Sequence, residues 1–415
     1  MIKRRALLKF AGLGLAAQTM AVGQYSWAVR PAQSASQRSA QTQQTGKRLI
    51  VVFLRGGIDG LNVVAPYQED RYYQLRPTIA VPRPAQTGGL LKLDERFGLH
   101  PALAPILPLW QQGSLAFVQA CGSPVLTRSH FDAQDYFETG EPGFHNTEGW
   151  MNRLLATSAD VSPIEAATIG ATIPKILAGD QPVANLPPGP NPLQPMALDR
   201  LPIAQAFDQI YGGDDALSQL YREAKATRAT LRATFAADHE ELANNGAPLP
   251  VTFAVDAAKL AQLMKRQPAV HLGFMALGGW DTHVEQGSSA GRLATLLGYL
   301  GEGLATLKQE LGALYAETVV VVMSEFGRTL HENGNGGTDH GYGNVLWLLG
   351  GAVKGGKVYG DWTDLDRLEN PRELPVHTDF RDPLRLALQR HLGLSERELA
   401  AVFPGHRMTQ KLDLL

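Results

Sequence analysis

The chain alternates short apolar runs with longer amphipathic segments. Four of the apolar runs are almost continuously hydrophobic and rich in β-branched residues, which is typical of strands buried on both faces of a parallel sheet. With a weaker fifth run, the predicted strands are 48–54, 115–120, 269–277, 318–323 and 345–349. Helical periodicity predicts helices at 203–241, 292–315 and 383–392. This layout predicts an α/β fold in which helices flank a mostly parallel central sheet.

Two segments differ from this alternating pattern. Residues 162–202 are rich in Pro and Gly, with PPGPNPLQP at their centre, and are predicted to wrap the surface. The helical pattern near 203–245 is predicted to be an insertion or cap. No second core is evident, so we predict a single α/β domain at 47–415.

The first 28 residues have the pattern of an export signal. Basic residues precede a short apolar stretch, and Ser26-Trp27-Ala28 approximates a small-x-small cleavage site. The pair Arg4-Arg5 favours a twin-arginine signal over an ordinary secretory peptide. We therefore expect residues 1–28 to engage the twin-arginine export machinery and the protein to be periplasmic or otherwise exported. Residues 29–46 are rich in Gln, Ser, Ala and Thr and are predicted to be a flexible linker.

Composition and charge narrow the classes of function. The 415 residues are 44% hydrophobic and 19% charged, as in ordinary globular proteins. Thirty-eight basic against 40 acidic residues give no electrostatic case for binding nucleic acid. No apolar run is long enough for a transmembrane helix, and the single cysteine, Cys121, excludes an intramolecular disulfide. An enzyme or a binding domain remains.

Polar residues and glycines follow four of the predicted strands. Ligands of α/β proteins collect at the carboxyl ends of the strands, so these segments predict a common site. They are 55–62, 122–132, 278–283 and 324–341.

The residues of these segments are suited to binding metal. Aspartate and histidine are ligands of Zn²⁺ and Mn²⁺, and carboxylates also suit harder cations such as Ca²⁺. There are enough of them for two adjacent divalent ions, which can clamp the attacking and leaving oxygens of an in-line displacement. The predicted ligands are Asp59, Asp281, His283, Asp339 and His340, with Glu325 as a sixth candidate.

Three further residues are candidates for catalysis. Ser129 lies just after a strand, where a helix dipole favours anions, and is the predicted nucleophile; the alternative is that it only caps the helix. His130 is predicted either to orient a ligand or to coordinate one. Arg328 is predicted to hold two oxygens of a phosphate or sulfate group.

Some of the metal candidates have structural alternatives as well. Asp59, within Gly-Ile-Asp-Gly, is also suited to building a turn through side-chain to backbone hydrogen bonds. Glu325 is also a candidate for a buried partner of Arg328.

The motifs FLRGGIDGLN, RSHFDAQDYFETG, GGWDTH, SEFGRT and NGNGGTDHGYGN resemble the bacterial domain-of-unknown-function family number 1501, over about residues 47–400. That family is grouped with the alkaline phosphatase-like superfamily, which includes sulfatases and phosphodiesterases. The resemblance implies a three-layer α/β/α sandwich with a two-metal site. It also implies that Asp59 is a metal ligand, that Ser129 is the nucleophile, and that Asp281 and His283 form a ligand pair.

The sequence departs from the superfamily pattern at the end of the fourth strand. The Asp-His-Gly motif expected there has two counterparts. Asp339-His340-Gly341 matches by residue type but lies farther along the chain, whereas Ser324-Glu325-Phe326-Gly327 matches by position with different residues. In addition, Asp281 and His283 are closer in sequence than the corresponding pair of the superfamily.

Two functions follow as hypotheses. The first is an exported, metal-dependent hydrolase that acts on phosphate or sulfate esters of a small molecule or a polymer. The second is a catalytically degenerate protein that uses the same fold to bind an envelope component, a polymer or a partner. Two filled metal sites favour the enzyme, and a single or empty site favours the binding protein.

Overall fold

The structure is a computed structural model. It describes residues 46–143, 146–158, 164–189, 201–213, 218 and 243–415, with two short strands at 20–22 and 25–27. The predicted signal peptide and linker therefore lie outside the described residues, apart from those two strands and Gly46. Of the predicted insertion near 203–245, the described residues are 203–213, 218 and 243–245.

The strands of the described part are short and mostly buried. In chain order they are β1 Met20–Val22, β2 Tyr25–Trp27, β3 Arg48–Leu54, β4 Val64–Ala65, β5 Leu91–Lys92, β6 Gly98–Leu99, β7 Leu115–Gly122, β8 Ala166–Ile169, β9 Val183–Leu186, β10 Leu272–Leu277, β11 Thr318–Met323, β12 Asn344–Gly350, β13 Lys357–Tyr359 and β14 Thr378–Asp379.

The α-helices vary from one turn to more than five turns. In chain order they are α1 Gly60–Val63, α2 Asp70–Leu75, α3 Leu107–Gln111, α4 His130–Thr139, α5 Trp150–Thr157, α6 Leu201–Ile210, α7 Phe253–Arg266, α8 Arg292–Leu311, α9 Arg381–Leu386 and α10 Glu396–Val402. None of the helices in the described ranges has both the length and the apolar character needed to cross a bilayer.

One large sheet organises the molecule. Its strand order is β1-β2-β9-β8-β10-β3-β11-β12-β7-β13, and β14 also pairs with β7. The five central strands β9, β8, β10, β3 and β11 are mutually parallel, whereas β12 is antiparallel to both of its neighbours. The predicted mostly parallel sheet is thus confirmed. A separate small sheet has the order β4-β6-β5.

Strand β3 shows how the layers form. Successive side chains of a strand point to opposite faces. Ile50, Val52 and Leu54 belong to a core shared with α3, α7 and α8. Leu49, Val51 and Phe53 belong to a second core, shared with α4, α5, α9 and α10. Because helices cover both faces of the sheet, the molecule is the three-layer α/β/α sandwich that the sequence predicts.

Most predicted elements are present with small differences in their bounds. The strands predicted at 48–54 and 318–323 are confirmed without change, and β10 begins at Leu272 rather than at residue 269. The helix predicted at 292–315 is α-helical to Leu311 and continues as a 3₁₀ turn. The helix predicted at 383–392 begins two residues earlier and changes to π-helical geometry after Leu386.

The prediction that residues 162–202 wrap the surface is wrong for two of their segments. Strands β8 and β9 lie in the central sheet, and all four residues of β8 are buried. Their short length and their alanines give a weak local signal. The neighbouring strand β10 nevertheless pairs with β8 in parallel register, from Ala166 opposite Leu272 to Ile169 opposite Met275.

Candidate metal centre

Asp281 is the centre of the candidate site. It lies four residues beyond β10, and its Oδ1 is 3.0 Å from Nε2 of His283 and 3.2 Å from Nε2 of His340. Its Oδ2 is 3.5 Å from Nε2 of His130, and the Nε2 atoms of His130 and His340 are 3.1 Å apart. In the described part of the chain, His130, Asp281 and His340 form a group whose donor atoms all lie within 4.8 Å of one another, as the ligands of one metal ion must.

His130 is held at the start of α4. The helix begins there because Oγ of Ser129 accepts a hydrogen bond from the main-chain N–H of Asp132 at 3.4 Å. The structure thus confirms that Ser129 is the helix cap. Both sequence neighbours of Ser129 contact the cluster. Arg128 does so through its carbonyl oxygen, which lies 2.9 Å from Nδ1 of His340, and His130 is itself a member of the cluster.

Hydrogen bonds at Nδ1 fix the tautomers of two imidazoles. Nδ1 of His130 is 2.8 Å from Oε1 of Glu325, and Nδ1 of His340 is 2.9 Å from the carbonyl oxygen of Arg128. A carboxylate and a carbonyl only accept hydrogen bonds, so each neutral ring carries its proton on Nδ1 and its lone pair on Nε2. Both lone pairs then face each other and the Asp281 carboxylate. A cation between these atoms removes the repulsion.

The donor set fits a divalent ion of the first transition row. In a tetrahedral zinc site with bonds of about 2.0–2.1 Å, the ligand atoms lie roughly 3.3 Å apart. The separations among His130, Asp281 and His340 are 3.1, 3.2 and 3.5 Å. Two imidazoles and one carboxylate are also a set that leaves open positions for water or substrate. This cluster can therefore bind a metal ion.

Glu325 orients His130 from behind. It is fully buried just after β11, and its Oε1 also accepts hydrogen bonds from the main-chain N–H of Gly56 at 2.8 Å and from Nε2 of Gln134 at 2.9 Å. Its Oε2 accepts one from Oγ of Ser324 at 3.1 Å. Because protein donors engage both oxygens, Glu325 has the contacts of a carboxylate that supports a metal-binding histidine.

A returning loop brings His340 to the cluster. His340 and Arg328 form an isolated antiparallel bridge, and the N–H of Gly341 donates to the carbonyl of Gly327 at 2.8 Å. Both counterparts of the expected strand-end motif therefore contact the same site. Glu325 arrives by its position after the strand, and His340 arrives through the loop.

Arg328 lies beneath Asp281 with no exposed side-chain surface. Its Nη2 donates to Oδ1 of Asp281 at 2.6 Å and to the carbonyl of Trp280 at 3.0 Å. Other hydrogen bonds go to the carbonyls of Thr338 and of the Gly56–Gly57 turn. All three guanidinium nitrogens donate to protein oxygens. These contacts position Asp281, and the role of Arg328 as a clamp for substrate oxygens stays a prediction.

The close contacts among these charged side chains shift the pKa values of His130, Asp281 and Glu325. Burial lowers the pKa of His130, but its contacts with Asp281 and Glu325 outweigh burial and raise it to about 9. Burial raises the pKa of Asp281, but the three imidazoles and Arg328 hold it well below its ordinary value. The pKa of Glu325 is lowered despite burial, because His130 and Gln134 donate to it. The carboxylates of Asp281 and Glu325 therefore favour positive charge between these side chains, either as a proton on an imidazole or as a metal ion.

Two predicted ligands lie at the rim of the cluster. The side chain of His283 is 38% exposed, and its Nε2 is 2.9 Å from Nε2 of His340. Its Nδ1 is 3.6 Å from Oδ1 of Asp339, whose side chain is half exposed. His283 is therefore close enough to join the donor set, and Asp339 lies behind it, as Glu325 lies behind His130.

Asp59 lies apart from this cluster. Its Oδ2 accepts hydrogen bonds from Nη1 of Arg76 at 2.6 Å and from Nε2 of Gln286 at 2.7 Å, and all three side chains are buried. Its side chain makes no helix-capping hydrogen bond. Its Oδ1 is buried and has no hydrogen-bond partner within the described residues, so this one atom remains available to a ligand.

Sequence reasoning missed the residues that support the site. Gln134 links Arg55 to Glu325, because its Oε1 accepts from Arg55 at 2.6 Å while its Nε2 donates to Glu325. Arg55 also pairs with Glu138 at 2.6 Å. A signal was available, because residues 130, 134 and 138 repeat at four-residue spacing and form a polar stripe on one helix face. Nothing in the sequence distinguishes Arg76 as the partner of Asp59.

Comparisons with solved structures give low similarity. The lipoteichoic acid synthase LtaP from Listeria monocytogenes is 12% identical, with a TM-score of 0.39 over 85% of this chain and 73% of that chain. Ps i-CgsB in complex with k-i-k-neocarrahexaose is 10% identical, with a TM-score of 0.37 over 86% and 74%. A second structure of Ps i-CgsB is 13% identical, with a TM-score of 0.39 over 86% and 74%. At these TM-scores the likeness decides neither reaction nor ligand.

The comparison of sequences finds a family that is similar to part of the chain. No curated protein matches the chain significantly. The model of a family described as protein of unknown function (DUF1501) matches residues 203–408, which include Asp281, Glu325 and His340. This part of the chain is therefore similar to the DUF1501 family.

Proposed function

We propose that this protein is a metal-dependent hydrolase of phosphate or sulfate esters. The observation that carries the proposal is the convergence of the Nε2 atoms of His130 and His340 on the Asp281 carboxylate at the carboxyl end of the sheet. Of the sites that α/β folds build there, a partly open metal centre is suited to esters with charged oxygens.

His130, Asp281 and His340 are the proposed ligands, with His283 as a further donor. A bound divalent ion supplies Lewis acidity toward an ester oxygen. Zinc and manganese suit this donor set best, and calcium is less suited to its imidazoles. A second ion, predicted from the number of acidic residues and histidines, requires Asp59 Oδ1 or Asp339 and stays part of the proposal.

The chain's own residues divide the remaining work. Ser129 is the proposed nucleophile, since its hydroxyl lies in the segment between two residues that touch the cluster. Glu325 holds His130 with its lone pair toward the metal position, and Arg328 holds Asp281. Twin-arginine export through residues 1–28 completes the proposal and places the enzyme in the periplasm or outside the cell.

A binding protein without turnover is the second candidate. Two observations favour it: all three guanidinium nitrogens of Arg328 donate to protein oxygens, and Asp59 is paired with Arg76. Asp59 is a predicted ligand of the two-metal site and Arg328 is its predicted oxyanion clamp, and both have other partners here. A single metal site without an oxyanion clamp is suited to holding an anionic polymer or partner.

Metal content is the experiment that tests the proposal. The protein is purified without chelator and measured by elemental mass spectrometry, beside Asp281→Asn and Asp339→Asn. We expect at least one equivalent of metal in the wild type, most of it lost in Asp281→Asn. Asp339→Asn separates one ion from two, because it is expected to keep the first equivalent and to lose only a second ion that depends on Asp339. Asp256→Asn, which changes a buried and ion-paired aspartate of α7, is the control and is expected to retain all of the metal.

Turnover then separates the two candidates. Metal-loaded protein is assayed against aryl phosphates, phosphodiesters and aryl sulfates, and Ser129→Ala is assayed in parallel. Hydrolysis lost in Ser129→Ala supports the enzyme. Metal binding without hydrolysis of any ester class supports the binding protein. A wild-type chain that takes up no zinc, manganese or calcium rules out the metal centre.

A further inference from the structure

A cavity of about 230 Å³ lies at the carboxyl ends of β8 and β10, and none of the proposed metal ligands lines it. Thr168 of β8, Phe274 of β10 and Asn245 contribute to its wall, together with Arg55 and Lys175. One water molecule takes up about 30 Å³ in the liquid, so the cavity is large enough for a polar group of several atoms.

The wall of the cavity carries positive charge. Arg55 and Lys175 line it, and none of the described residues that line it is acidic. Their carboxylate partners, Glu138 and Asp135, are not part of the lining. The described lining therefore carries a net positive charge, whereas the carboxylates that balance it lie outside the lining.

Arg55 is held firmly at this place. It is 3% exposed, and its Nη1 and Nη2 donate to Gln134 and Glu138. These two hydrogen bonds fix the guanidinium beside the cavity, so its charge is positioned before any ligand binds.

The cavity is also linked to the metal centre. Gln134 accepts from Arg55 and donates to Glu325, and Glu325 accepts from Nδ1 of His130. The hydrogen bonds therefore connect Arg55 to His130 without a gap, through Gln134 and Glu325. A ligand on Arg55 is thereby connected to the orientation of a proposed metal ligand.

We propose that this cavity is an oxyanion subsite that takes a second phosphate, sulfate or carboxylate group of the ester substrate. The inference rests on the proposed function for the source of that group. Arg55 and Lys175 bind the oxyanion, and the hydroxyl of Thr168 contributes to the wall. Substrates with two or more charged groups are then preferred over simple monoesters. A free inorganic anion, such as sulfate or phosphate, has the same chemistry and is the alternative source of the oxyanion in the cavity.

Binding of inorganic sulfate, measured by titration calorimetry on the full chain, tests the subsite. Lys175→Gln removes one cation from the wall and is expected to weaken sulfate binding on the order of ten-fold. Lys259→Gln is the matched control. Its side chain is 35% exposed against 34% for Lys175, and it also pairs with an aspartate, but it does not line the cavity. Thr168→Val is a second variant, which keeps the shape and removes a hydroxyl.

Metal-site variants keep this test separate from the proposed function. Sulfate binding that persists in Asp281→Asn and falls in Lys175→Gln supports the subsite, even if no metal is found. Sulfate binding that is lost in Asp281→Asn and unchanged in both Lys175→Gln and Thr168→Val overturns it, because the anion then sits at the metal centre. Absence of sulfate binding to the folded wild type also overturns it.

Kinetics distinguish the two sources of the anion. If the group belongs to the substrate, Lys175→Gln raises KM for an aryl ester with a second sulfate or phosphate and leaves KM for the simple aryl ester unchanged. If the cavity takes a free anion, Lys175→Gln leaves both KM values unchanged and removes only the effect of added sulfate. Either result supports the subsite.

Discussion

At the scale of single residues, the site depends on carboxylates with different tasks. Asp281 faces the donor cluster, whereas Glu325 faces the back of His130. Both are acidic residues that come just after a strand, Asp281 after β10 and Glu325 after β11, so their sequence context does not distinguish them. Their hydrogen bonds do, because Glu325 is surrounded by protein donors and Asp281 by imidazole nitrogens.

Glu325→Gln is expected to lower metal affinity by about 10–100-fold, because an amide orients His130 less firmly and leaves its Nε2 less basic. Dialysis against a metal buffer followed by elemental analysis measures this. Asp382→Asn, another buried carboxylate remote from the cluster, serves as the control and is expected to keep wild-type affinity. Unchanged affinity in Glu325→Gln contradicts the orienting role.

Arg328→Met is expected to lower the free energy of unfolding by about 3–5 kcal/mol, because the change leaves the largely buried carboxylate of Asp281, which is 16% exposed, and the carbonyls around the guanidinium without their donor. Urea denaturation with chelator present measures the loss without a contribution from bound metal. An exposed substrate clamp predicts the opposite pattern, with stability retained and only activity reduced.

At the scale of elements, the tight turn after β3 sets the distance between strand ends. Gly56 has a φ of +120°, and a Cβ added there lies 2.6 Å from the main-chain nitrogen of Asp281. Its own N–H donates to Glu325. The turn therefore fits against both neighbouring strand ends only when residue 56 has no side chain.

Gly56→Ala is expected to destabilise the fold by about 1–3 kcal/mol or more and to weaken metal binding, because the turn and Asp281 must move apart. The matched control is Gly113→Ala, where φ is +70° but nothing lies within 4 Å of an added Cβ. Gly113→Ala therefore has the cost of an alanine at positive φ without a steric clash, and it is expected to retain metal. Equal metal content in both variants rules out the steric argument.

The elements that the sequence predicts best are those with a strong local pattern. Strands β3 and β11 are continuous runs such as TVVVVM, which need no context to be recognised. Strand β8, with the sequence AATI, depends on pairing with β10, and no local pattern reveals that pairing. Similarly, the approach of His340 to the cluster depends on the bridge with Arg328, which is a tertiary contact.

At the scale of the whole molecule, the C-terminal segment closes the core that lies on the α4, α5, α9 and α10 side of the sheet, because Leu412 and Leu414 belong to that core. Asp382 of α9 is fully buried and accepts hydrogen bonds from Thr409 and Gln410, and His406 lies 3.1 Å from it. Burial raises the pKa of this carboxyl, but these donors outweigh burial and hold its pKa below the ordinary value.

This carboxylate makes part of the stability dependent on pH. Since its pKa is lower in the folded state, its contribution is present above the unfolded value of about 3.9 and is lost as pH falls through the folded pKa. Asp382→Asn is expected to be less stable than wild type at neutral pH, with the difference shrinking below about pH 4. Urea denaturation from pH 7 to pH 3 measures it, and a constant difference contradicts the argument.

The position of β3 has a consequence for how the chain is made. Leu49 of this central strand lies opposite Leu272 on one side and Val319 on the other, so both neighbours are synthesised long after it. As the chain leaves the ribosome, the run LIVVFL has no native partner until β10 emerges, and one edge stays open until β11 follows. Nascent chains that stop before residue 318 therefore leave at least one edge of this apolar strand unpaired, and we expect them to aggregate or to require a chaperone.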